Sequence, residues 1–251
     1  MSEIIYGKNS LLEALRSIDD KDYFLGIYLL KSDDEILSLC KEKKINAKIV
    51  SKEEFSNILK KNNEQNVNHQ GFLAFTKEYK YYNLDEITSN ENDSLVVALD
   101  GLEDPHNLGA IVRTCEIAGV NGIILPKNRS VKVTPTVVKV STGATRYVKI
   151  AQVTNLVSSL KELKKEGYWI VGAEAGTISE NFWNIDYKMK ICLVVGSEGR
   201  GISRLVKEEC DYLVEIPMWG KVNSLNASVS CGILIYEIRR QQRTENNAKS
   251  K

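Results

Sequence analysis

From Ser94 onward the chain alternates short, unbroken apolar runs with stretches of helical spacing. That rhythm constrains its fold more than any other feature. The runs are SLVVAL (94–99), GIIL (122–125), WIVGA (169–173), ICLVVG (191–196) and YLVEI (212–216). Continuous β-rich runs without polar alternation suit strands covered on both faces. The stretches between them, about 108–118, 132–142, 154–166, 202–209 and 225–242, suit crossover helices, so an α/β domain with a parallel sheet is predicted. Ligands of such sheets bind beyond the carboxyl ends of the strands. Attention therefore goes to the segments after residues 100, 173, 196 and 216.

Residues 1–75 read as a smaller alternating α/β unit. A helix capped by Asn9 or Ser10 runs to about Ser17, followed by strand-like Phe24–Leu30 and a helix over Asp33–Lys44 with acids first and lysines last. Then come a short strand at Ala47–Val50, a helix at Lys52–Lys60 and a strand at Gly71–Phe75. Residues 76–92 are polar and end in an Asn/Glu/Asp cluster, which reads as a linker with a helical turn at 83–88. The expected organisation is 1–75, a linker at 76–92, and a second domain at 93–251, which suits a chain of 251 residues.

The N-terminal stretch lacks a basic segment followed by an apolar one, and the longest apolar runs hold far fewer than the roughly 20 residues a membrane helix needs. No membrane role and a cytoplasmic location are expected. The five cysteines are odd in number, widely spaced and never in a CxxC, and there are two histidines, His69 and His106. A zinc site or a histidine-based triad would need nearly all of them, so no metal is expected. The net charge of +1 gives no sign of a globally basic nucleic-acid binder.

Four features could carry chemistry. In LDGLEDPHNLGAIVRTCEIAG (99–119), a strand leads through Pro105 to Asn107, a good N-cap, and Arg113 follows on the helix. Arg113 either snorkels or pairs with Glu116, or it forms an anion clamp near the strand ends. In VVGSEGRGIS (194–203), Gly196, Gly199 and Gly201 allow close backbone approach to a ligand, but fit neither a P-loop nor G-x-G-x-x-G. Glu198, flanked by glycine on a tight loop, has no packing role. In EIPMWGKVNSLNASVSCGILIYE (215–237), a loop with Trp219 and Gly220 leads into amide and small residues, among them Asn223, Ser224 and Asn226. These are helix caps or ligand-binding groups.

The fourth feature is charge. No acid lies between Glu116 and Glu162, a stretch carrying Lys127, Arg129, Lys132, Lys139, Arg146 and Lys149, and Arg239, Arg240 and Arg243 follow near the C-terminus. Residues 93–251 hold 21 basic and 17 acidic residues. The excess favours a phosphate-binding surface over a merely solvated face.

Taken together, the motifs Asn107-Leu-Gly-Ala-Ile-Val-Arg113, Val195-Gly-Ser-Glu-Gly-Arg-Gly201, and Ile216-Pro-Met-Trp-Gly through Ser224-Leu-Asn-Ala-Ser228 resemble those of the SpoU family of RNA ribose 2′-O-methyltransferases, in the SPOUT class. The IYGKNSLLEAL opening and NHQGFLAF (68–75) resemble the substrate-binding extension of members that methylate a guanosine ribose in 23S ribosomal RNA. The resemblance implies a trefoil-knotted SPOUT α/β domain at 93–251, preceded by a small RNA-binding α/β domain. It implies S-adenosyl-L-methionine as cofactor, held at Gly196, Ile216, Met218 and Leu225 with the 172–176 loop nearby, and a homodimer with large-subunit ribosomal RNA as partner. Asn107, Arg113, Glu198, Ser224 and Asn226 take the family's catalytic positions. Two alternatives stand beside it: the same chemistry on transfer RNA, and a non-catalytic RNA-binding ribosome-assembly protein.

Overall fold

The computed structural model describes residues 2–18, 20–62, 67–176, 179–222 and 224–249, so Asn223 lies outside the described residues. The chain divides into two compact units. One comprises residues up to 80 with 134–139, the other 81–133 with the rest of the chain from 140.

The first unit is built from β1 (Ser2–Tyr6), α1 (Lys8–Ser17), β2 (Phe24–Leu29), α2 (Asp34–Glu42), β3 (Ala47–Ile49), α3 (Lys52–Lys61) and β4 (Phe72–Lys77). The strands form a mixed sheet in the order β1-β4-β2-β3, with only β2 and β3 parallel. Asp33 caps α2 by accepting from Ile36 N, and Ser51 caps α3 by accepting from Glu54 N. Leu11, Leu15, Ile27, Leu29 and Ile36 fill one core cluster, while Phe55, Leu59 and Leu73 belong to another. Two expectations change here. The N-cap of α1 is Gly7, at φ +84° and without a side-chain bond, in place of Asn9 or Ser10. Strand β1 was not expected: among the described residues it is an edge strand that pairs with β4 alone.

The second unit holds β5 (Leu95–Asp100), α4 (Pro105–Ile117), β6 (Gly122–Pro126), β7 (Ile150–Val153), α6 (Leu156–Lys165), β8 (Trp169–Ala173), β9 (Glu180–Asn181), β10 (Ile191–Gly196), α7 (Arg204–Lys207), β11 (Tyr212–Glu215) and α8 (Ala227–Lys249), while α5 (Pro135–Val140) belongs, up to residue 139, to the first unit. Its seven strands are all parallel, in the order β7-β6-β5-β10-β8-β11-β9. Val96, Ala98, Cys192 and Val194 share a core cluster with Leu160 and Leu163 of α6 and Val206 of α7. Strand alternation turns Val97, Leu99, Leu193 and Val195 to the opposite face, and all four are buried. Each fully buried Val, Leu or Ile contributes about 1.5–3 kcal/mol.

Strands β7 and β9 were not expected, and part of the predicted linker is ordered. Tyr82 bridges Ala151 of β7, and the helical turn is confined to Leu84–Glu86. Helix α4 starts earlier than expected. Its N-cap is Asp104, whose carboxylate accepts from His106 N, with Pro105 at the first helical position. Asn107 is therefore inside the first turn and 6% exposed, with its side chain free for other bonds.

Helix α8 packs against α4, and a buried arginine locks the two together. Arg239 donates to the carbonyls of Ala118, Gly119 and Asp93 and to Gln242 Oε1. Arg240 is paired with Glu237. Buried Arg239 therefore leaves the phosphate-binding surface inferred from charge, while Arg240 stays exposed. Lys139 faces Glu13 at 3.7 Å, while Lys127, Arg129, Lys132 and Arg146 remain exposed. Among the described residues, no helix is long and apolar enough to cross a membrane, and no group of His, Cys, Asp and Glu is arranged to hold a metal ion.

Candidate active site

The parallel sheet brings the carboxyl ends of β8, β10 and β11 level. Ala173 pairs with Val195 on one side and Val214 on the other, and Gly196 pairs with Asp100 at the end of β5. Segments 173–175, 195–201, 214–216 and 224–227 leave these ends and, with Met218, Ser230 and Leu234, line a cleft of about 650 Å³.

The glycine segment folds back on itself. Ser197 N donates to Gly201 O at 3.2 Å, and Gly201 N donates to Ser197 O at 2.9 Å. Gly199 and Gly201 take φ values of +80° and +65°, which side chains other than glycine rarely adopt. Gly196 has a different reason: a Cβ there would stand 2.1 Å from the Gly201 carbonyl carbon. Two carboxylates hold the returning strand of this turn. Asp100 Oδ2 accepts from Ser203 N at 2.7 Å, and Glu174 Oε2 accepts from Ile202 N at 3.2 Å. Glu174 Oε1 is paired with Lys207. Sequence reasoning named the 172–176 loop without singling out Glu174, and it missed Lys207. The signal was present in GAEAG, a carboxylate between small residues just after a buried strand, as for Glu198.

The turn presents Glu198 to two amides. Asn107 Nδ2 donates to Glu198 Oε1 at 2.5 Å, and Asn226 Nδ2 donates to the same oxygen at 3.0 Å. Asn226 Nδ2 also donates to Asn107 Oδ1 at 2.9 Å. Asn226 Oδ1 accepts from Ser228 N at 2.9 Å and Ser228 Oγ at 2.6 Å, which makes Asn226 the N-cap of α8. So α4, the glycine turn and α8 meet in one polar triangle, and the cap fixes which way the Asn226 amide points. Glu198 Oε2 makes no hydrogen bond among the described residues.

Of the other expected residues, Gly196, Ile216, Met218, Ser224 and Leu225 line the cleft. Arg113 does not. It stands six residues beyond Asn107 on α4, a turn of about 120° and a rise of about 9 Å away. Its side chain is exposed and makes no hydrogen bond or ion pair among the described residues, with Glu116 included. Ile117, one turn on, is 62% exposed.

Comparison with known proteins shows the family and the fold. The model of the SpoU rRNA Methylase family matches residues 94–236, and that of the RNA 2′-O ribose methyltransferase substrate-binding domain matches residues 4–82. A protein of Staphylococcus haemolyticus named for the TrmH family of tRNA/rRNA methyltransferases is 44% identical over 245 residues, 95% of this chain and 96% of its own length. The similarly named YacO of Bacillus subtilis is 41% identical over 96% of each chain. Among solved structures, the SpoU methyltransferase AviRb of Streptomyces viridochromogenes, in complex with AdoMet, superposes with a TM-score of 0.65 at 20% identity, covering 97% of this chain and 91% of its own. The TrmH/SpoU tRNA modifying enzyme of A. aeolicus is 34% identical, with a TM-score of 0.57 over 65% of this chain and 82% of its own. The fold is that of the SpoU methyltransferases, an α/β fold with a parallel sheet behind a small N-terminal unit. The chain belongs to the SpoU rRNA methylase family.

Proposed function

We propose that this chain methylates a ribose 2′-oxygen in RNA with S-adenosyl-L-methionine as donor, and that the substrate is a guanosine of 23S ribosomal RNA. The observation that carries the reading is the Asn107–Glu198–Asn226 triangle at a cleft built from strand-end loops.

The cleft suits the cofactor. Its volume falls in the usual range for small-molecule sites, and Ile216, Leu225 and Leu234 give it apolar lining. The absence of a Cβ at Gly196 allows the turn to close beside the ligand. When bound, the cofactor supplies an electrophilic methyl group on a sulfonium, so positioning accounts for much of the rate.

Glu198 Oε1 is held by two amides, which leaves Oε2 to accept a hydrogen bond from the ribose hydroxyl and to take up its proton as the oxygen is methylated. Ser224 closes the same pocket. A guanidinium is a strong, planar donor that rarely gives up its proton. Arg113 is therefore assigned to grip the phosphate beside the target and stabilise the developing oxyanion.

Arg113 and Ile117 lie on an exposed side of α4, and Val229, Ile233 and Tyr236 make an exposed apolar stripe on α8. A second copy covering these residues would bring Arg113 into a complete site, which supports the homodimer. The loop after β6 carries Lys127, Arg129 and Lys132, and Val131 N donates to Leu102 O at 2.7 Å. These cations thus stand at the carboxyl end of the sheet, suited to RNA phosphates. The N-terminal unit, at 1–75 before a linker at 76–92, is assigned to holding the RNA.

Transfer RNA is the second reading, favoured by the likeness to the A. aeolicus tRNA modifying enzyme. Incubation with methyl-labelled cofactor, unmodified 23S transcript and a transfer-RNA pool separates the two. Label in alkali-resistant dinucleotides from the 23S transcript alone supports the proposal. Label in transfer RNA keeps the chemistry and overturns the substrate. No label and no cofactor binding sinks the reading.

A further inference from the structure

Three aromatic rings lead outward from the second unit beside the cleft. Phe182 is 4% exposed, and Trp183 lies against it with ring centroids 5.0 Å apart. Trp219 stacks on Trp183 with centroids 6.2 Å apart and planes at 28°. Exposure rises along the series, to 53% at Trp183 and 84% at Trp219. Large aromatic surface left in water is unfavourable, and nothing within the described residues covers the outer ring. Both tryptophans are placed by the site's own elements. Trp219 follows Met218, which lines the cleft. Trp183 follows β9, whose Glu180 and Asn181 pair with Val214 and Glu215 at the end of β11.

We infer that Trp183 and Trp219 form a stacking platform for an unpaired nucleobase of the RNA strand that enters the cleft. The inference rests on the RNA methyltransferase reading and deepens it. RNA is read with sequence specificity mostly at loops, bulges and ends, whose splayed-out bases stack on aromatic side chains. The Trp183 face toward the core is occupied by Phe182, so the ladder is anchored at one end and open at the other. The charges suit a nucleic-acid strand. Arg200 at the glycine turn and Lys221, two residues past Trp219, are exposed and make no ion pair among the described residues. Aromatic rings interleaved with unpaired cations are the usual surface for single-stranded nucleic acid.

The test uses the full chain saturated with S-adenosylhomocysteine and fluorescein-labelled hexaadenylate, read by anisotropy. Trp219→Ala should weaken oligonucleotide binding about tenfold or more, and Trp219→Phe should restore most of it. Trp183→Ala should act in the same direction. The slope of log affinity against log salt should stay unchanged in Trp219→Ala and fall by about 0.7 in Arg200→Gln, because stacking and charge are separate contributions. S-adenosylhomocysteine affinity and sedimentation of Trp219→Ala should match the wild type. Unaltered hexaadenylate binding by Trp219→Ala overturns the platform, as does a wild type that binds S-adenosylhomocysteine but no hexaadenylate. Loss of S-adenosylhomocysteine affinity in Trp219→Ala would make this ring part of the cofactor pocket. Altered sedimentation would make a second copy the occupant. A wild type that binds neither ligand fails at the parent reading instead.

Discussion

Asn226 and Glu198 are joined by a hydrogen bond from Nδ2 to Oε1 at 3.0 Å, while the Asn226 Oδ1 caps α8. One side chain thus does two separable things. Asn226→Asp keeps an acceptor for Ser228 N but loses the donor and sets two carboxylates against each other. Methyl transfer should fall by at least about tenfold, and melting should stay within a few degrees of the wild type. Asn226→Ala loses both roles and should cost about 1 kcal/mol in addition. Single-turnover rates and thermal melts of the two variants check this. Equal activity of Asn226→Asp and wild type would remove the triangle from the chemistry.

Arg113 is exposed and makes no hydrogen bond or ion pair among the described residues. Arg113→Ala should abolish methyl transfer with cofactor affinity and melting temperature nearly unchanged. Arg113→Lys should retain part of the rate if charge is what matters, and almost none if the two-pronged grip is essential. Calorimetry with S-adenosylhomocysteine and a rate assay distinguish these outcomes. Full turnover by Arg113→Ala would remove this residue from the site.

Much of the fold was legible because burial on both faces leaves an unmistakable mark. The five apolar runs correspond to β5, β6, β8, β10 and β11 to within a residue or two. Strand β7 has only Ile150 and Ala151 fully buried, and β9 is two residues long, so neither left such a run. The start of α4 went to the wrong residue because Asn107 and Asp104 are both good caps. Pro105 decides between them, since it fits the first helical turn and therefore needs its cap just before it. The motifs placed Glu198 and Asn226 at the strand ends, but their mutual bonds could not be read from spacing. Those bonds depend on α8 returning to α4. The buried role of Arg239 was hidden for the same reason, since a cation near a C-terminus looks alike in water and in a core.

Arg239 donates to three backbone carbonyls and is 7% exposed. Replacing it with Met keeps apolar volume and strands the carbonyls of Asp93, Ala118 and Gly119. The expected loss is about 3 kcal/mol or more, which at this chain length lowers the melting temperature by roughly 6–12 °C. Denaturant titration gives the value. A loss below about 1 kcal/mol would show that α4 and α8 hold together without it.

Burial governs the thiols. It pushes Cys210 and Cys231 up to about 12 and Cys192 and Cys115 well above the ordinary thiol range, and it raises Cys40 too. At pH 8 a thiol at about 12 is thiolate to roughly one part in ten thousand. A disulfide reagent should therefore label the native protein very slowly and all five cysteines after denaturation. Cys210 is the partly exposed one and should react first. Its rate should keep rising between pH 8 and 10, with no plateau near 9. A plateau there would place Cys210 in water.

The glycine turn gives the sharpest steric test, because two of its glycines are needed for different reasons. At Gly196 the obstacle is space: a Cβ would meet the Gly201 backbone at 2.1 Å, so the turn must open. At Gly199 nothing lies within 4 Å of the added atom, and the obstacle is the φ of +80° alone. Gly199→Ala should cost about 1–2 kcal/mol and leave a turn that still closes. Gly196→Val should leave a turn that cannot close, with S-adenosylhomocysteine affinity lost by calorimetry in a chain that still melts cooperatively. Affinity retained in Gly196→Val would place the cofactor somewhere other than this cleft.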